Sequence, residues 1–166
     1  MKLIIIRGAP GSGKSSLGRR LRKNYPDGVL IELDNVRGMM NNVNWKDEEE
    51  YLNAIEVVAA STKTFLELKK SPIILVDMFM PDKLNLFLNK FPGINYELVS
   101  LTVNNDVLQK RLEDRKEGFK NFRMGIMLNN IILQHPYDNE LVIDTSDIGK
   151  NEVAVKSQRY LERIKD

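Results

Sequence analysis

The amino-acid sequence predicts a three-layer α/β domain built on a five-stranded, mostly parallel sheet. Two observations predict it. Short apolar runs alternate along the chain with longer segments of helical periodicity, the order of repeated strand–helix units. The short runs are apolar throughout rather than alternating, so each needs cover on both faces, as strands of a parallel sheet between helical layers do. With 166 residues, 42% of them hydrophobic and 29% charged, the chain has the size and composition of one globular domain, and residues 1–166 read as a single one.

The elements follow in order. The first strand candidate, 3–6, is a run of leucine and isoleucine that stops at Arg7. A helix candidate over 14–24 comes after the bare stretch Gly8 to Gly13. The second strand, 29–33, lies between Gly28 and Asp34. A long helix over 47–70 opens with an acidic turn, Asp47 to Glu50, where negative charge suits the positive end of the helix dipole. Strand 73–76 follows Pro72 and ends at Asp77, and helix 82–89 comes next. Strand 97–103, helix 106–115, strand 141–143 and helix 151–164 complete the pattern, the last with Ala154, Ser157, Leu161 and Ile164 on one stripe. Segment 116–127 is the least patterned and contains Gly118 and Gly125, so it is expected to be a mobile loop or lid.

Charge and composition exclude several classes. The balance of 25 basic and 23 acidic residues, net +2, lacks the global basic field of dedicated nucleic-acid binders. The absence of cysteine excludes disulfides, thiolate catalysis and Cys-ligated zinc or iron–sulfur centres. The apolar run 3–6 is too short for a signal-peptide core and no later run approaches a membrane span, so the expectation is a cytoplasmic protein with no membrane partner.

The stretch "GAPGSGKS", Gly8 to Ser15, fits G-x-x-x-x-G-K-[ST] between a strand candidate and a helix candidate, the context that gives this P-loop pattern its meaning. Glycines let consecutive N–H groups turn inward into an anion-binding nest, and the helix start at Lys14 adds its own free N–H groups and positive dipole end. The bareness of Gly8, Ala9, Pro10, Gly11, Ser12 and Gly13 is therefore read as room for a phosphate chain, with Ser16 beside it. Lys14 is placed to reach the β- and γ-phosphates of ATP, and the Ser15 hydroxyl to ligate Mg²⁺. A flexible Gly-Ser linker would not explain a lysine and a hydroxyl at these offsets. The base-reading N-K-x-D and the D-x-x-G of small GTPases are missing, and the chain is too short for the added subdomains of large ATP motors, so phosphoryl transfer to a small acceptor is the stronger reading.

With "RGAPGSGKSS", "ELDNVR" after the second strand, "RLEDR" before the lid segment and "LVIDTSD" at the last strand, the chain resembles the P-loop kinases typified by adenylate, shikimate and gluconate kinases. Within them it is most similar to the compact ATP-binding group that includes polynucleotide kinase and chloramphenicol phosphotransferase. The resemblance implies a three-layer P-loop NTPase fold and an ATP- and Mg²⁺-dependent kinase. The stretch "DMFMPD" departs from the pattern: it has neither the glycine triplet of shikimate kinases nor the D-G-[FY]-P-R of adenylate kinases.

Asp34 stands just past a strand candidate, at the edge where open α/β sheets gather ligands, with Arg37 three residues on. A carboxylate there can take the proton of a hydroxyl nucleophile, and a guanidinium can hold an anionic or polar part of the acceptor. The resemblance to polynucleotide kinase-like members implies these parts for the D-x-x-R pair. The alternative is that Asp34 caps a helix starting near Asn35. Asp77 fits a Walker-B carboxylate for Mg²⁺, the reading a P-loop in the same chain favours over a turn residue at a strand end. Met78, Phe79 and Met80 after it offer apolar surface to an acceptor or to the core, the core being the safer reading.

Residues 110–123 hold six basic and three acidic side chains, and Arg111 and Arg115 are spaced to share a helix face. Such runs are usually solvated. The resemblance to adenylate kinase-like members implies instead that Arg111 stacks on adenine and Arg115 contacts the transferring phosphate, with Lys116, Lys120 and Arg123 as lid residues. The single histidine, His135, reads as structural or solvated; Trp45 is open between stacking on an acceptor and covering the core edge. "IDTSD" resembles the loop that lines adenine in these kinases, though by composition it is a turn. The expected acceptor is a small molecule. A nucleic-acid 5′ end is the competing acceptor, supported by D-x-x-R and weakened by the small net charge, and a regulatory module without turnover is the competing class.

Overall fold

The computed structural model of the chain describes residues 2–40, 42–116, 118–134 and 137–163. Strand β1 (Lys2–Gly8) leads through α1 (Lys14–Arg22) to β2 (Val29–Glu32), then α2 (Leu33–Arg37) and α3 (Glu48–Glu67) lead to β3 (Ile73–Asp77). Next come α4 (Pro81–Leu88), β4 (Asn95–Thr102), α5 (Asn105–Glu113), α6 (Phe122–Gln134), β5 (Glu140–Asp144) and α7 (Lys150–Arg163). The five strands lie in the order β2-β3-β1-β4-β5, and every pair is parallel, a stricter arrangement than the mostly parallel sheet expected.

Strand alternation sorts the core into two layers. Leu3 and Ile5 of β1 pack with Ile73 and Leu75 of β3 against Ile55 and Val58 of α3 and Leu84 and Phe87 of α4. Ile4 and Ile6 face the other way, onto Leu17 and Leu21 of α1 and Val153 and Leu161 of α7. Each buried Ile or Leu contributes about 1.5–3 kcal/mol. The Asp47 side chain, which accepts from the N–H groups of Glu49 and Glu50 at the start of α3, contributes about 1 kcal/mol. Two-sided burial of the central strands, more than capping, therefore sets the sheet. Among the described residues no helix is long and apolar enough to cross a membrane.

Helix α6 corrects the sequence expectation for 116–127, because residues from Phe122 onward are helical. The buried positions of α6 are Gly125, Leu128, Asn129 and Ile132, which is helical spacing, but glycine and asparagine occupy two of them and hide the apolar stripe. Both have packing reasons. A Cβ on Gly125 would stand 3.2 Å from Leu112, so the glycine lets α6 lie close on α5. Asn129 bonds both the N–H (3.1 Å) and the carbonyl (3.0 Å) of Val103, supplying the backbone beyond β4 with partners that the sheet does not. His135 and Ile164 lie outside the described residues.

Candidate active site

Strand β1 leads toward the β2 edge and β4 toward the β5 edge, so the crevice expected at such a divergence opens beyond their C-terminal ends. The loop from Gly8 to Lys14 fills it. A Cβ on Gly8 would meet Ser12 Oγ at 2.4 Å and the Leu101 carbonyl at 2.8 Å, so nothing larger than glycine fits where the loop leaves the strand. Gly11 (φ +92°) and Gly13 (φ +100°) are both left-handed, and the N–H of Ser12 donates to Ala9 O at 3.1 Å. Gly13 caps α1 without a side chain, and no acidic residue stands in the first turn. The first N–H groups of α1 are left for an anion.

Gly11, Ser12, Gly13, Lys14, Ser15 and Ser16 line a cleft of about 360 Å³ together with Arg111 and Arg115. Gly8 and Ala9 are buried beneath it. Leu17, Leu101, Ile148 and Val153 supply an apolar wall suited to a flat base, with Thr145 and Lys150 at its side. Arg111 donates to Thr145 O at 2.6 Å and to Thr145 Oγ1 at 2.9 Å, and approaches Gly11 O at 3.4 Å, so it ties α5 to both the loop after β5 and the phosphate loop. Arg115 differs from expectation: α5 ends at Glu113, so Arg115 lies past the helix rather than on its face, exposed, with Nη1 3.4 Å from Phe119 O.

A second group stands on the other side of Lys14. Burial pulls the Lys14 ammonium below its ordinary range, opposed by the Asp77 and Asp34 carboxylates. Burial pushes the Asp77 carboxyl up, opposed by a hydrogen bond from the Tyr51 hydroxyl and another from the N–H of Phe79, 3.1 Å from Oδ2. Phe79 reaches that position with φ of +42°, a conformation that costs a non-glycine residue about 1 kcal/mol or more, and its ring is fully buried. Phe79 therefore belongs to the core, as expected, while Met78 and Met80 are half-buried.

Asp34 is the second residue of α2 and is exposed; the N-cap is Glu32, so the helix-cap reading of Asp34 does not hold. Arg37, at the end of the same helix, is 5% exposed. Its Nη2 donates to Asn44 O at 3.1 Å, and its guanidinium lies 4.8 Å from the Trp45 ring centre and 5.5 Å from that of Tyr51. Among the described residues its buried Nε has no hydrogen-bond partner. Trp45 is thus neither core edge nor free surface: half of it is exposed and a ring face meets Arg37. Tyr51 carries no spacing signal in the sequence and enters the site only through the fold, whereas Thr145 lies in "IDTSD", the stretch singled out by resemblance, though its bonds to Arg111 cannot be read there.

A family model described as an AAA domain matches residues 3–124. NEDD4-binding protein 2 of Homo sapiens is 38% identical over 74 residues, 44% of this chain and 4% of that protein, so the chain spans a small fraction of its relative. A gluconokinase from Sinorhizobium meliloti 1021 superposes with a TM-score of 0.73 at 17% identity, covering 98% of this chain and 93% of that one. A chain of the Pnkp1/Rnl/Hen1 RNA repair complex superposes with a TM-score of 0.68 at 18% identity over 80% of this chain and 44% of that one. The fold is that of the compact P-loop kinases, as the sequence resemblance implied.

Proposed function

The chain belongs to this AAA domain family, and from that premise we propose that it is an ATP-dependent kinase. It moves the γ-phosphoryl group of ATP to a hydroxyl or phosphate of a small-molecule acceptor in the cytoplasm. The observation that carries the reading is the grouping of Lys14, Asp34 and Asp77, three ionisable groups from three elements at one edge of the sheet. A module that only bound nucleotide would need the phosphate loop and Lys14, but has no use for the exposed carboxylate of Asp34 beside them.

The N–H groups of the phosphate loop that face the cleft, from Gly11 and from Gly13 to Ser16, cradle the phosphates, Lys14 neutralises charge on the transferring group, and the apolar wall takes the base. Arg111 holds the base side of the cleft. Arg115 moves in over the phosphates as the short loop between α5 and α6, with Gly118 and Phe119, closes as a lid while α6 stays packed on α5. Asp34 accepts the proton of the acceptor hydroxyl while that oxygen bonds the γ-phosphorus; the bond to the β–γ bridging oxygen breaks and its electron pair leaves with ADP. Arg37 holds an anionic or polar part of the acceptor. Ser15 and the buried Asp77 fit Mg²⁺, which when bound offsets phosphate charge. Among the described residues no group of three or more His, Cys, Asp or Glu could hold a metal alone, so in this reading phosphates and water complete the cation's shell.

A 5′-hydroxyl end of a polynucleotide is the second acceptor reading, supported by D-x-x-R on α2 and by the likeness to a chain of an RNA repair complex. The test is ADP release by wild type and Lys14→Ala over metabolites, nucleosides, antibiotics and 5′-hydroxyl oligonucleotides. Acceptor-stimulated release that Lys14→Ala lacks is the expected result. Nucleotide binding with no stimulation across the panel would leave a binding module, and equal turnover by both proteins at saturating ATP would remove the phosphate-loop assignment.

A further inference from the structure

Tyr51 lies in the first turns of α3 and touches both halves of the acceptor side of the site. Its ring stands 5.5 Å from the guanidinium of Arg37, and its hydroxyl donates to Oδ2 of Asp77. Arg37 ends α2 and Asp77 ends β3, so one side chain joins two elements that sequence places far apart. The N–H of Phe79 donates to the same Oδ2, at 3.1 Å. With both donors on one oxygen the carboxylate rotamer is fixed, and Oδ1 is the oxygen left for a cation and its waters.

A tyrosine that only filled space would carry its hydroxyl to water or a backbone carbonyl. Here the hydroxyl meets a buried carboxylate that has a ligand to hold, and the ring meets a buried cation whose Nε is unpartnered. Either contact alone is ordinary. Together they give a path by which a change at Arg37 reaches Asp77 through one rigid ring, and by linkage the reverse.

We propose that Tyr51 is a positioning residue that fixes Asp77 for the metal–nucleotide complex and couples that carboxylate to the acceptor site at Arg37. This rests on the phosphotransfer reading above. In that arrangement a displacement of Asp77 on loading the site would be carried by Tyr51 to the Arg37–Trp45 stack where the acceptor arrives.

The chain has a single tryptophan, Trp45, which lies outside the nucleotide cleft and against Arg37, so its emission reports the acceptor side alone. The experiment titrates the non-hydrolysable analogue AMP-PNP, with and without Mg²⁺, into wild type and Tyr51→Phe, reading affinity by calorimetry and Trp45 emission in parallel. Wild type is expected to gain affinity with Mg²⁺ and to change its emission as the analogue binds. Tyr51→Phe keeps the ring but loses the hydroxyl; about tenfold of the Mg²⁺-dependent gain should go, the scale of one hydrogen bond to a charged group, and the emission response with it. A gain and response within twofold of wild type overturn the inference. So does a wild-type emission that ignores bound Mg²⁺·AMP-PNP, which leaves the kinase reading standing. Failure of wild type to bind the analogue at all overturns the kinase reading first and this one with it. Should Tyr51→Phe not fold, Tyr51→Leu, which removes hydroxyl and ring together, is read the same way, and retention of both signals overturns the inference.

Discussion

Arg7 at the end of β1 and Arg37 at the end of α2 are both more than nine-tenths buried, and their surroundings differ in one respect, the presence of an opposite charge. Arg7 meets Glu140 of β5 at 2.7 Å, with Ser100 Oγ 2.7 Å from its Nε and the Tyr137 ring centre 4.9 Å away. Arg37 has two rings and a carbonyl but, among the described residues, no carboxylate within ion-pair distance. A neutralised buried charge serves the fold, whereas one without its counter-charge carries a desolvation cost that the fold alone does not repay. The difference marks Arg7 as a brace between strands and, in the proposed reading, leaves Arg37 as the cation for an anionic or polar part of the acceptor.

The largest effect expected on the Arg37 side comes from its neighbour on α2. Asp34→Asn should lower kcat by about 10²–10⁴-fold with nucleotide affinity unchanged, the range for loss of a general base, as steady-state kinetics would read. Unchanged kcat would detach α2 from the chemistry and leave Arg37 without a purpose. On the other side, Arg7→Met should cost about 3–5 kcal/mol in urea unfolding, because it strands Glu140 without its partner. The double variant Arg7→Met with Glu140→Leu should recover more than half of that loss. If the single variant is as stable as wild type, the brace is an illusion of geometry.

Arg37→Met addresses the comparison directly. It should lower kcat/KM for the acceptor by about 10²-fold, the scale of hydrogen bonds to a charged group, while stability stays level or rises because an uncompensated buried charge is gone. A fall in stability like that of Arg7→Met would make the two arginines equivalent. The smallest effects belong to the two arginines of the nucleotide cleft, Arg111 half-buried and Arg115 exposed. Arg115→Ala should chiefly lower kcat, and Arg111→Ala chiefly raise the KM for ATP, each by about tenfold, the scale of one hydrogen bond to a charged nucleotide. Changes under about twofold in all constants, worth less than half a kcal/mol, would return Arg115 to the solvent.

The strands, the phosphate loop and most helices are legible in the sequence because each depends on a local pattern: β1 is apolar on both faces, and the loop needs glycine where a Cβ would strike Ser12 or Leu101. Helix α6 is not legible, since Gly125 and Asn129 serve close packing and backbone satisfaction at the positions where periodicity looks for apolar residues. Asp34 and Asp77 announce themselves by standing at strand ends. Arg37 can be picked out by its spacing from Asp34, but its burial under Trp45 cannot, because the turn that folds Asn44 and Trp45 back onto it, though local, has no periodic pattern to mark it. Tyr51 is invisible for a different reason: what distinguishes it is contact with Asp77, and that depends on how α3 lies across β3. The buried pair Arg7 and Glu140 likewise exists only once β4 stands between their strands.

The central place of β1 has a consequence for biosynthesis. Leu3 pairs with Ile73 on one side and with Tyr96 on the other, so the strand that carries the phosphate loop leaves the ribosome long before either neighbour has been made. Until β3 is translated, Leu3 to Ile6 is an unpaired, uncharged β-prone segment on a nascent chain, the kind of stretch that chaperones shield and that aggregates when they do not. The basic residues Lys2 and Arg7 bracket it and act as charged gatekeepers while it waits. Arg7 then surrenders that solubilising role to Glu140 of β5, the last strand of the sheet in sequence, so the strand is fully committed only once β5 has been made.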